Sequence, residues 1–155
     1  MTESRVRHNP WAILVATLAS FVLAAVWYTV LLEPWLRGID RTMEFLKASG
    51  VPEYVSYLVA LVMAAVMAIA ISCVTQLAGR QTLVGGMKTG ALLWLGFIFT
   101  SLAIEYTYEV RFQLLAINAG YWLLSCVIMG AITGAWKKKV PAAQSAERRA
   151  AIAAK

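Results

Sequence analysis

Few groups in this chain could do chemistry: one histidine, two cysteines and eight carboxylates among 155 residues. His8 stands alone, and no spacing of Cys, His, Asp or Glu resembles a zinc or iron site. Cys73 and Cys126 fall inside long apolar runs, where a thiol behaves as a small hydrophobe rather than as half of a disulfide. There is no nucleophile motif, no phosphate-cradling glycine loop and no acid paired with a histidine. An enzyme, a metal site and a bound cofactor are therefore not expected. What remains is a set of polar side chains embedded in apolar sequence. At about 100° per residue, Ser101, Glu105 and Tyr108 share one helical face, with Glu109 close by. Asn118, Tyr121, Trp122, Ser125 and Met129 share another, opposite Ala116, Gly120, Val127, Gly130 and Gly134.

The elements that must position these groups are long apolar blocks. The chain is 61% hydrophobic and 14% charged, against about half and about a quarter in ordinary soluble domains. A hydrocarbon core about 30 Å thick takes roughly 20 apolar residues in a helix. Four blocks meet that length: Trp11 to Leu32, Tyr54 to Leu77, Met87 to Tyr108 and Phe112 to Trp136. The first is too long for the h-region of a cleaved signal and reads as a retained span. Pro34 closes it, Pro52 starts the second, and Lys88 sits at the headgroup end of the third. The expected fold is all-α, a four-helix transmembrane bundle.

Basic residues set the orientation. Arg5, Arg7, Arg80, Lys88, Lys137, Lys138, Lys139, Arg148, Arg149 and Lys155 fall on one side, and Arg37, Arg41, Lys47 and Arg111 on the other. The richer side is cytoplasmic by the positive-inside rule. Residues 1–9 and 137–155 are then basic cytoplasmic ends flanking a transmembrane domain over 10–136, and the tail from Pro141 reads as frayed. Because the net charge of +6 flanks the spans instead of forming a stripe, nucleic acid is not an expected partner; the lipid bilayer is. Between Glu33 and Glu53, Trp35, Ile39, Met43 and Leu46 recur at helical spacing. This predicts a short amphipathic helix in the outer loop, either lying on the membrane surface or packed over the end of the bundle.

Small residues recur every four positions at Ala12, Ala16, Ser20 and Ala24, and at Ala60, Ala64, Ala68 and Ser72. Gly86 with Gly90 opens the third span, and Gly130 with Gly134 closes the fourth. Such stripes let backbones approach where lipid supplies no hydrophobic drive. They serve either packing within one bundle or a homo-oligomer interface. The turn Glu109-Val110-Arg111 makes the third and fourth spans antiparallel neighbours. Counted from it at 1.5 Å per residue, Ser101 comes level with Asn118 and Tyr121, and Glu105 lies one turn further out. Ser101, Glu105, Asn118, Tyr121 and Ser125 are thus expected to form one polar seam. Trp27, Tyr28, Tyr106 and Tyr108 fit an outer aromatic belt.

Trp27-Tyr28, Leu95-Gly96-Phe97, the run Ala116-Ile117-Asn118-Ala119-Gly120-Tyr121-Trp122-Leu123-Leu124 and the run Met129-Gly130-Ala131-Ile132-Thr133-Gly134-Ala135-Trp136 together resemble the small bacterial membrane proteins grouped as domain of unknown function 1761. The resemblance spans about residues 10 to 136. It implies four helices in a bacterial inner membrane and carries no activity. The expected function is a non-enzymatic packing, accessory or assembly protein. The alternatives are an oligomeric transporter or channel with a path near Glu105 and Asn118, and, more distantly, a membrane enzyme acting on lipid.

Overall fold

The computed structural model describes residues 9–48 and 50–136, which are helical with short connections. The expectations for residues 1–8 and for the tail from 137 onward lie outside the described residues. Four helices are long and apolar enough to cross a membrane, and the protein is a multi-pass membrane bundle.

The first span is α1 (Pro10–Val30). Asn9 starts it: its Oδ1 accepts from the Trp11 N–H at 3.1 Å, and Pro10 takes the first helical position, where a missing N–H costs nothing. The Asn9 amide also reaches the Trp136 carbonyl at 3.4 Å, tying the first turn of the bundle to its last. At the other end the chain barely pauses. Leu31 N–H donates to Trp27 O at 3.0 Å and Trp35 N–H to Leu31 O at 2.9 Å. Pro34 has no N–H for the Val30 carbonyl, so α1 breaks at Leu31 and α2 (Leu32–Ile39) departs with Pro34 inside its first turn.

The amphipathic helix expected between the first two spans is in fact two pieces. Asp40 adopts a left-handed conformation (φ 55°, ψ 47°) that caps α2, and the chain restarts as α3 (Met43–Ala48). Asp tolerates that geometry better than most residues. Thr42 begins α3 by accepting the Phe45 N–H at 3.2 Å. The Glu44 carboxyl is held below its usual range by its own backbone N–H and by the Thr42 hydroxyl.

The second span is α4 (Glu53–Leu77), closed by a Schellman turn. Gly79 N–H donates to Gln76 O and Arg80 N–H to Thr75 O, with Gly79 at φ +65°. The third span starts earlier than expected. Thr82 accepts the Gly85 N–H at 2.9 Å and opens α5 (Leu83–Leu93), which puts Gly86 and Gly90 inside the helix and Lys88 a turn beyond its start. A π-helical segment, Trp94–Phe99, follows and leads into α6 (Thr100–Glu109). The fourth span, α7 (Phe112–Ala135), returns after a turn in which Val110 has φ 52°. That conformation is strained for a β-branched residue.

α7 is the centre of the bundle, packing against α1, α4 and α5. Its buried core joins Cys126 and Met129 to Ala16, Ala64, Ala68 and Ile71. The rest of the apolar surface faces outward, as at Val22, Val59, Val66, Leu92 and Phe97, all exposed, and this is the surface that lipid covers.

Candidate functional site

The contact between α5 and α7 is built on glycine. A Cβ placed on Gly86 would overlap the Gly130 carbonyl, and one on Gly130 would overlap the Gly86 carbonyl. Gly90 lies against the Cys126 carbonyl and Gly134 against that of Thr82. The four glycines therefore bring two backbones together over the half of the bundle that holds the start of α5 and the end of α7. Nearby hydroxyls bond back to their own helices, Thr89 to Gly85 O at 2.9 Å and Thr133 to Met129 O at 2.8 Å, the usual way such groups are satisfied in lipid. The Thr75 hydroxyl, fully buried, has no hydrogen-bond partner among the described residues.

A second feature runs along α1 and α7. The Ser20 and Ser125 hydroxyls bond to each other at positions with no exposure, and Ser20 also meets the Tyr121 hydroxyl at 3.4 Å. Further out, the Tyr28 hydroxyl donates to Asn118 Oδ1 at 3.2 Å. The two ring systems close the gap: Tyr28 and Tyr121 have centroids 5.3 Å apart, and Trp35 of α2 meets Tyr28 edge-on at 5.7 Å. The register is consistent. Ser20 to Tyr28 is about 12 Å along α1, and Ser125 to Asn118 is about 10.5 Å back along α7. On either side an indole N–H reaches a helix carbonyl, Trp27 to Ile117 O at 3.1 Å and Trp94 to Ala119 O at 3.0 Å.

Asn118, Tyr121 and Ser125 thus share one seam, but its other wall is α1, not the third span. Ser101 is exposed and bonds back to Phe97 O at 2.9 Å, and Glu105 is exposed. The expected juxtaposition of Ser101 and Glu105 with Asn118 does not form. Two causes combine. The π segment changes the rotation of everything after it, so faces computed at a constant angle from α5 do not continue into α6. In addition α6 buries none of its residues, leaving its polar face uncovered. Ser20 and Tyr28 were the residues that sequence reasoning missed. Ser20 sits in a small-residue stripe that reads as packing, and Tyr28 in what reads as an aromatic belt.

The sequence model of one family, described as "Protein of unknown function (DUF1761)", matches residues 11–134, the run from the start of α1 to the end of α7. The chain belongs to the DUF1761 family. None of the curated proteins or solved structures compared with it gives a match. In this DUF1761 chain the two stretches Trp27-Tyr28 and Ile117 to Tyr121, about 90 residues apart, are direct partners: both members of the first bond to the second, and Gly120 makes room for the Trp27 ring, 3.1 Å from where its Cβ would be. The seam consists of hydroxyls, phenols and an amide, which hold each other in place without a charge.

Proposed function

We propose that this protein is a non-enzymatic component of a bacterial inner membrane, acting through helix packing as an accessory or assembly factor, with lipid as its constant partner. The observation that supports this is the seam: Ser20, Ser125, Tyr121, Tyr28 and Asn118 satisfy one another within one chain, as structural polar groups in lipid do. An oligomeric transporter or channel is the second reading. It is favoured by Ser101 and Glu105, which are exposed on α6 and could line a path only between copies. Proteoliposomes loaded with a pH-sensitive dye decide between them. Under an imposed potential the protein is expected to pass protons no faster than protein-free vesicles. A flux that Glu105→Gln abolishes would establish the second reading and overturn the first.

The proposal places both termini in the cytoplasm. It rests on the basic asymmetry and on the four spans, whose even number returns the chain to the side where Asn9 meets Trp136. Single cysteines at positions 47 and 144, in a background without Cys73 and Cys126, test it in spheroplasts. An impermeant maleimide is expected to label position 47 and spare position 144. The reverse pattern would invert the topology.

A further inference from the structure

The corner between α2 and α3 holds an open cavity of about 380 Å³ lined by Leu36, Arg37, Asp40, Arg41, Thr42 and Phe45. The left-handed turn at Asp40 creates it by folding the start of α3 beside the end of α2. The corner is fixed to the bundle. Gly38 is buried with its backbone against Leu114, 3.0 Å from where a Cβ would stand, and the Arg111 guanidinium donates to Gly38 O at 2.6 Å. The same guanidinium lies 3.7 Å from the Asp40 carboxylate, the one ion pair among the described residues.

Neither Arg37 nor Arg41 forms an ion pair among the described residues. The Asp40 carboxylate, which shares the cavity, pairs with Arg111 instead. The Arg41 guanidinium lies 4.5 Å over the Phe45 ring and gives one N–H to the Asp40 carbonyl at 3.3 Å. The remaining N–H groups of that guanidinium, and those of the Arg37 guanidinium, have no hydrogen-bond partner among the described residues. Two guanidinium forks in one cavity suit a phosphate, which accepts several charge-assisted hydrogen bonds at once. The setting selects the source of that phosphate. α2 and α3 join the ends of two spans, which places the cavity in the headgroup layer. Leu36 and Phe45 line it beside the arginines, and Phe45 is exposed. A soluble phosphate ester gains nothing from that apolar rim, whereas an acyl chain does.

We propose that Arg37 and Arg41 form a binding site for the phosphate of an anionic phospholipid at the α2–α3 corner. The test uses the full chain in non-ionic detergent, with lipid retention read by native mass spectrometry. Phosphatidylglycerol is expected to be retained roughly tenfold better than phosphatidylcholine. The Arg37→Gln/Arg41→Gln double variant is expected to bring the two lipids level, while Lys47→Gln leaves the preference intact. Both changes are at exposed positions, and an unaltered melting temperature confirms that each variant is folded. Equal retention of the two lipids by the parent, or an undiminished preference in the double variant, would overturn the site. Displacement of the lipid by glycerol phosphate at matched concentration would overturn the lipid as its source.

Discussion

Replacing Gly130 with alanine is expected to destabilise the bundle by about 3 kcal/mol, at the upper end of what one added methyl costs in a packed interior. The added carbon would overlap the Gly86 carbonyl, and backbone cannot rotate aside as a side chain can. α5 and α7 must therefore separate along their closest stretch, loosening the contacts at Gly90 and Gly134 as well. Gly86→Ala is expected to match it, since the encounter is reciprocal. Gly96→Ala is the control: nothing lies within 4 Å of its Cβ position, and alanine favours a helix by about 1 kcal/mol over glycine. Reversible unfolding in mixed micelles measures all three. A Gly130→Ala protein as stable as the parent would show that the two helices are not in backbone contact.

Ser125→Leu is expected to cost about as much, and for a reason distinct from the hydrogen bond it removes. Ser125 has no exposure, and the Ser20 and Tyr121 hydroxyls both lie within bonding distance of one cluster. Two extra heavy atoms, and the wider branch they form, have nowhere to go except between α1 and α7, a steric cost of about 1–3 kcal/mol, to which the lost bond adds about 0.6. Ser125→Ala removes the bond and leaves the space, while Ser20 keeps Tyr121 as a partner. Its expected cost is under about 1 kcal/mol. Volume therefore outweighs polarity here. Equal losses from alanine and leucine would reverse that order and give the hydroxyl pair the dominant role.

Much of this was legible in the residues. Asn9-Pro10 announces the start of α1, and the length of each apolar run gives the spans to within a few residues. Spacing by four singled out Gly86, Gly90, Gly130 and Gly134, because a helix face repeats at that interval whatever it meets. The partner of Asn118 was not legible. The short turn before α7 made the third span the obvious neighbour, but α1 is also antiparallel to α7 in a bundle of four, and depth alone cannot choose between them. Nothing in Trp-Leu-Gly-Phe-Ile-Phe distinguishes a π turn from an α turn, since either suits the same run of apolar side chains, none of them buried here. The break at Asp40 left a fainter sign: Asp and Thr, two residues apart, favour a cap and a restart, but the apolar spacing of Trp35, Ile39, Met43 and Leu46 runs straight across it.

The π segment in the third span has a consequence best stated in helical phase. A π turn holds one more residue than an α turn requires, so it works as a one-residue insertion that neither half of the helix needs for its own hydrogen bonding. The direction in which α6 points is then set by the length of the chain between Trp94 and Phe99 and not by the composition of α6. Losing a single residue there would turn Ser101, Glu105 and Tyr108 together by about 100°, while the glycines of α5 stayed where they are. Of all the surfaces on this protein, the α6 half of its third span is the one that a change in count, without a change in character, would redirect.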